Sequence, residues 1–475
     1  MPALGLALGM SYRPYPGGAL LPEVLTYAGN QVTAGSTISA AHLSALNTWA
    51  LRGTTVGWLS KLTEIWPMMG STLAGAAVKF RYGAGGQANL DVSRLVSGDY
   101  SQANGIGMTT RNASKFIATG FTPSADGLSL NNFSALTTNL DVLLAKSVYA
   151  GYMGDTPASG LNKLVWSSNN ASSTANPSSN IGSQGNSFFM GVNGPACHVI
   201  NWGSSSQQVF RNGFQCCYGT ATLSDVLDTE INIGRVRVNG TYYVDTFRLG
   251  MEAFGTAMTT AEAADFGQAS YEFQQAIGRT MLASNTEIFV GDSITSGQSA
   301  KTYQQSFQYL IASNRSKTPV CFGNPGALLT QDTSGRKGMY GQRTSLASYP
   351  ASRVYLMAGT NDGQYDGVLN GNATTIADFK AKMIEMTQLW QSYGHTVILL
   401  SLPYSTNANL NATKRAAYAL ATSEAATATG AGFVDINNLM TNSTSPTPAS
   451  MMQDTTHPND VGHLFIANAV AAAYP

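Results

Sequence analysis

The chain has 475 residues and a formal net charge of zero at pH 7, with 26 Lys and Arg against 26 Asp and Glu. Charged residues make up only 11% of it, against about 25% in an average globular protein, and Gly, Ala, Ser, Thr and Asn fill the difference. Without a Lys/Arg run a nucleic acid or an anionic membrane finds no electrostatic footprint, and no apolar stretch is long enough to span a bilayer.

Such a length exceeds what one hydrophobic core organises, so two or three domains are expected. Residues 1–35, rich in Gly and Pro and without sustained periodicity, read as an extended arm. Their short apolar run lacks a basic leading segment and a clear small-residue cleavage site, so a secretory signal is not expected; a protein acting outside cells would then leave by lysis or another route. In residues 36–67, Leu43, Leu46 and Trp49 recur at helical spacing, Gly53 interrupts, and Val56, Leu59 and Leu62 resume, which predicts two short packed helices.

From about 75 to 280 short apolar runs alternate with Gly/Ser/Asn clusters, the texture of an all-β sandwich. The sharpest hairpin is "IGRVRVNGTYYVDTF", where Asn239-Gly240 suits a two-residue turn. "TTAEAADFGQASYEFQQAIGR" reads as a helix closing the sandwich. Through "GWLSKLTEIWP", "SKFIATGFTPS" and that helix, residues 36–280 resemble the concanavalin-like, laminin-G-like jelly-roll module of bacteriophage tail proteins. The resemblance implies a carbohydrate-binding or structural module. Trp166, Trp202 and the tyrosines of this region are read as core in preference to a sugar-stacking platform. Cys197, Cys216, Cys217 and Cys321 contain no CxxC pair and read as small buried hydrophobes, with a disulfide from Cys197 to one of the adjacent pair as the alternative.

Beyond residue 285 the pattern becomes α/β. "EIFVGDS", "RVYLMAGTND", "TVILLSLP" and "AGFVDI" read as buried strands, and "DFKAKMIEMTQLWQSYG" places Phe379, Met383, Met386, Trp390 and Tyr393 on one helix face, with Asp378 positioned to cap and Gly394 to terminate. Apolar strands alternating with amphipathic helices predict a parallel sheet between helices, whose reactive groups gather at the carboxyl ends of the strands.

Three blocks sit at such ends. Ser293, in "GDS" after the first strand, is a nucleophile candidate. Asp454 and His457, three residues apart in "DTTH", can provide a base and the carboxylate that orients it. Asn361, in "AGTND", can direct an amide toward an oxyanion beside the backbone N–H of Ser293. In order, spacing and position these blocks resemble the SGNH (GDSL-type) hydrolase family over residues 285–475. That resemblance implies Ser293 as nucleophile, His457 as base, Asp454 as its orienter and Asn361 as oxyanion donor, without metal or other cofactor. Gly326, in "NPGALLT", takes the place of the family's backbone oxyanion donor, while Leu329 stands where a final glycine is usual. The GxSxG elbow of the other large esterase fold is absent.

Asp292 and Asp362 read as turn-holding carboxylates and Asp435 as another group near a strand end. A metal site from Asp454, His457 and His463 has no further ligand in sequence, and His463 reads instead as a partly exposed helix histidine. His42, His198 and His395 read as structural. The expectation is therefore a serine esterase acting on an acylated carbohydrate, as O-acetyl groups of a bacterial surface polysaccharide, on a virion tail or otherwise outside the cell. Virion attachment and a homotrimer follow from the tail-protein resemblance alone, since no heptad run is present. The alternatives are a short-chain lipid or aryl esterase and an inactive receptor-binding adhesin, the latter motivated by Leu329.

Overall fold

A computed structural model describes residues 19–81, 89–108, 115–122, 125, 132–140, 196–203, 206–219, 230–233, 247–281, 285–333, 335–365 and 375–475, together with short strand segments between 150 and 189 and between 235 and 244. Within the expected arm, Pro22–Thr33 forms a helix, α1, because Pro22 at its first turn already has a helical φ and Glu23 complements the dipole. Helix α2 (Ala40–Val56) is continuous where two helices were expected, with the Ser39 side chain accepting the His42 N–H as its cap. Gly53 does not interrupt it, because the Trp58 indole lies over that position; a Cβ there would sit 2.5 Å from the ring. Leu59 falls in a 3₁₀ turn and Leu62 opens a strand, β1 (Leu62–Trp66).

The N-terminal region is organised by one antiparallel sheet. Its further strands are β2 (Tyr100–Ser101), β3 (Gly105–Met108), β4 (Phe133–Asn139), β5 (Ala196–Trp202), β6 (Gln207–Arg211), β7 (Phe214–Gly219) and β8 (Phe247–Gly255). Their order is β7-β6-β5-β4-β8-β3-β2, with β1 also pairing with β8. The period of two sorts the side chains by face. Leu136, Val199, Phe210 and Met251 pack with α2 and with α3 (Thr260–Ala276), while Phe133, Ile200, Trp202 and Val209 form a second core on the opposite face. Helix α3 is the expected closing helix, begun by a reciprocal Thr259–Glu262 capping box.

Trp202 is fully buried, as core; the Trp166 side chain lies outside the described residues. The expected hairpin forms, Val238 pairing with Thr241 across a two-residue connection. Jelly-roll connectivity depends on residues 141–149 and 220–229, which lie outside the described residues. Cys197, Cys216 and Cys321 are buried free thiols, so Cys197 forms no disulfide.

The C-terminal region is a five-stranded parallel sheet of β9 (Thr286–Gly291), β10 (Thr318–Gly323), β11 (Arg353–Met357), β12 (Thr396–Leu400) and β13 (Gly432–Val434), ordered β10-β9-β11-β12-β13. Strand β10 was not among the expected strands. Its Pro319 argues against a central strand and is accommodated because β10 lies at the sheet edge.

Helices cover both faces, as a sheet of apolar strands requires. Ile288, Val290, Val354 and Leu399 pack against α6 (Ile376–Ser392) and α7 (Ala412–Thr429), and Phe289, Tyr355, Ile398 and Leu400 against α4 (Phe307–Asn314) and α9 (Asp460–Ala473). In α6 the face Phe379, Met383, Met386 and Trp390 is buried as expected, but Thr375 is the cap and receives the Asp378 N–H. Two short helices, α5 (Thr360–Gln364) and α8 (Ile436–Thr441), follow β11 and β13.

The two regions share a core that runs from α1 and α2 through α3 to one face of the parallel sheet. At their junction Phe214 of β7 meets Phe322 of β10 at 4.9 Å between ring centroids, and Tyr271 of α3 stacks on Tyr349 at 5.0 Å.

Candidate active site

Strand β9 is buried throughout and stops at Gly291, where only a glycine fits: a Cβ would lie 2.0 Å from Thr295 Oγ1 and 2.6 Å from the Met357 carbonyl. The chain turns there. Asp292 Oδ1 accepts the Ile294 N–H at 2.9 Å, and the Ser293 carbonyl accepts the Ser296 hydroxyl and the Gln298 N–H. This closes the turn that presents the Ser293 side chain at the carboxyl end of the sheet.

His457 arrives from the loop before α9. Asp454 Oδ1 accepts the N–H groups of Thr456 and His457, at 2.6 and 2.7 Å, and folds the DTTH stretch into a tight turn. Its other oxygen lies 2.8 Å from His457 Nδ1, and His457 Nε2 lies 2.9 Å from Ser293 Oγ. Two further contacts seat this loop: the Thr455 carbonyl accepts Ser405 Oγ and the Thr406 N–H, and Asn459 caps α9. The hydroxyl, imidazole and carboxylate thus form one line in which a proton can pass from oxygen to ring while the carboxylate fixes the tautomer. Partial burial of Asp454 opposes its charged form, but the His457 N–H, the His457 ring and the Thr456 N–H outweigh it and hold the carboxyl below its usual value.

The loop after β10 faces this line. Asn324 N–H bonds to the Gly291 carbonyl, which fixes residues 324–327 beside the serine turn. Gly326 has a φ of +74°, and the Arg336 guanidinium lies against it, so that a Cβ would sit 2.9 Å from Arg336 Nη1. Among the described residues neither the Ser293 nor the Gly326 N–H has an acceptor within the protein. Asn361, expected as an oxyanion donor, has its Nδ2 engaged within the protein, donating to the Ala327 carbonyl at 3.1 Å and, more weakly, to Asp292 Oδ2 at 3.4 Å. Its amide therefore ties the serine turn to the loop.

Leu329 is not at the surface of this site. Its side chain is buried in the core, and its N–H bonds Asp362 Oδ2 at 2.9 Å. Asp362 also takes the Thr330 N–H and hydroxyl, so it braces a loop distant in sequence as well as its own turn. Burial raises both Asp292 and Asp362 from 3.8 to about 6. Asp435 caps α8 and accepts the Ser401 hydroxyl.

His463 is fully buried, against the partly exposed position expected. Its Nε2 lies 3.2 Å from the Gln298 carbonyl, its Nδ1 accepts the Phe307 N–H, and burial lowers its pKa to about 4. Since both ring nitrogens face backbone, Asp454, His457 and His463 do not converge. His395 is likewise engaged by backbone, from Ser352 and Leu346, and His198 is buried in β5.

Sequence reasoning did not find the N-terminal residues behind the loop. Gln215 of β7 receives the Lys337 N–H at 2.6 Å and donates to the Gly335 carbonyl at 3.0 Å, and Gln208 of β6 donates to the same carbonyl. These partners lie about 120 positions from the loop, and nothing local announces them.

Comparison with known proteins bears on the C-terminal region. No curated protein matches the chain. Among solved structures it is similar to an α/β hydrolase from the metagenome of Lake Arreo (21% identity, 40% of this chain and 95% of that one, TM-score 0.33). It is also similar to a lipase/acylhydrolase from Enterococcus faecalis (19%, 40% and 94%, 0.33) and an acetylxylan esterase from Geobacillus stearothermophilus (20%, 40% and 94%, 0.33). Residues 289–464, which carry the serine turn, the loop after β10 and the DTTH turn, match the GDSL-like lipase/acylhydrolase family, and the C-terminal region of the chain is a GDSL-type lipase/acylhydrolase domain.

Proposed function

We propose that the chain is a serine esterase that removes O-acyl groups, with O-acetyl on a carbohydrate as the substrate class. The observation that carries the reaction class is the line from Ser293 Oγ through His457 to Asp454, at 2.9 and 2.8 Å. Ser293 attacks the ester carbonyl as His457 Nε2 takes its proton, and Asp454 stabilises the imidazolium. The oxyanion is received by the N–H groups of Ser293 and Gly326, both free to donate. Asn361 supports this hole by holding the two backbone segments in register, and adds its own donor if the weak bond to Asp292 is exchanged.

Collapse of the tetrahedral intermediate expels the alcohol with the proton from His457 and leaves an acyl-Ser293. Water, deprotonated by the same histidine, then releases the acid. The carbohydrate assignment is supported by the sequence resemblance of the N-terminal module.

Hydrolysis of p-nitrophenyl acetate against longer acyl chains, with wild type and Ser293→Ala, tests this reading. Acetate-selective turnover that disappears in the variant is expected. Turnover unchanged in Ser293→Ala would overturn it.

A further inference from the structure

Arg336 lies against Gly326, the proposed oxyanion donor, and its Nε has no hydrogen-bond partner among the described residues. Its guanidinium lies between that glycine and the ring of Tyr218, 5.4 Å from the ring centroid, and the Nε is buried. Among the described residues the side chain makes no ion pair. Asp332, the carboxylate four positions earlier, is bonded instead to Lys337 Nζ at 2.7 Å and to the Gly338 N–H at 2.9 Å.

This arginine is held in place. Thr333 and Arg336 exchange backbone hydrogen bonds at 2.9 and 2.8 Å around Gly335, whose φ is +75°. Tyr218 packs so closely on Gly335 that a Cβ there would be 2.2 Å from the ring, and Gln208 and Gln215 grip the Gly335 carbonyl, both at 3.0 Å. The N-terminal sheet thus fixes a planar guanidinium fork beside Gly326. A guanidinium presents its donors in a rigid fork that pairs with two oxygens of a carboxylate or a phosphate, and of these the carboxylate is the anion that a sugar ring itself carries. The oxyanion needs no such group, because two backbone N–H groups already serve it.

We propose that Arg336, backed by Tyr218, is a specificity residue that receives a carboxylate carried by the substrate near the scissile ester, so that the preferred substrate is an acylated acidic sugar, a uronate. The identity of the ester as substrate rests on the esterase reading above; the binding of the carboxylate does not.

Calorimetric binding of polyuronate oligomers to full-length Ser293→Ala and to Ser293→Ala/Arg336→Gln separates the two. Uronate oligomers are expected to bind at least tenfold more tightly than neutral oligomers of equal length, and Arg336→Gln to abolish that preference. Arg336→Lys, which keeps the charge without the fork, should retain part of it and guards against loss through misfolding. Equal binding of acidic and neutral oligomers, an unchanged preference in Arg336→Gln, or tighter binding of a sulfated oligomer overturns the proposal. With Ser293 intact, Arg336→Gln should lower kcat/KM on an acylated uronate at least tenfold more than on p-nitrophenyl acetate; an equal or larger fall on p-nitrophenyl acetate would make Arg336 an oxyanion group and overturn its assignment to specificity. If wild type hydrolyses no ester while the uronate preference holds, the esterase reading fails and this one stands.

Discussion

The two sides of the candidate site are built differently. On one side, Asp454 and His457 are three residues apart, fold their own turn and leave the carboxylate half exposed, 49% by side chain. On the other, the loop from Asn324 to Gly338 is braced by Asp362 from within its own domain and by Gln208, Gln215 and Tyr218 from the N-terminal sheet. The first side is a local motif, while the second is an interface. The N-terminal region is therefore part of the architecture of the site.

Substitutions on the two sides should separate accordingly. Ser293→Ala gives the largest loss, roughly 10³-fold or more in kcat/KM, with folding unchanged. Asp454→Ala should lower kcat by about 10²- to 10³-fold, less than for a buried orienting carboxylate because water partly replaces it, again with little change in Tm. On the braced side the order reverses. Leu329→Ala should cost about 2–5 kcal/mol of stability by opening a core cavity, seen as a lowered denaturation midpoint. Gln215→Ala removes hydrogen bonds across the junction and should cost about 1–3 kcal/mol, with a fall in kcat of roughly tenfold as the Gly326 N–H loses its fixed position. A Gln215→Ala enzyme with wild-type kcat and stability would show that the N-terminal sheet merely touches the loop.

The smallest effect is in pH. Asp292 and Asp362 are raised from 3.8 to about 6 by burial, so the folded state favours their protonated forms. The stability each contributes is full below about 3.8 and is lost as pH rises through about 6. Asp454 is shifted the other way, so its contribution is present at neutral pH and is lost as pH falls through its lowered value. Asp292→Asn should flatten the fall in denaturation midpoint between pH 4 and pH 6; an unchanged slope would remove Asp292 from this account.

This asymmetry also explains what could be read in the sequence. Ser293, His457 and Asp454 were legible because each sits at a strand end or in a short motif whose neighbours set its geometry. The parallel sheet was legible from apolar runs, except β10, where Pro319 masks an edge strand. Gly53 and residues 22–33 were misread because a glycine and a proline were taken as breaks, when Trp58 fills the space over the one and the other begins a helix. His463 was misplaced because a polar residue on a helix looks solvent-facing until its two backbone partners are seen. Leu329, which suggested an impaired oxyanion site, is a core residue whose N–H braces the loop. The residues behind the loop were invisible, since pairing of β7 with a segment more than a hundred positions away leaves no local trace.

The central claim is that Ser293 is the activated nucleophile. Its most direct test is intact-mass and peptide analysis after treatment with an active-site fluorophosphonate. A single adduct on the peptide containing Ser293, absent from Ser293→Ala and slowed in His457→Ala, is the predicted result. An adduct elsewhere, or none on a folded enzyme, would contradict it.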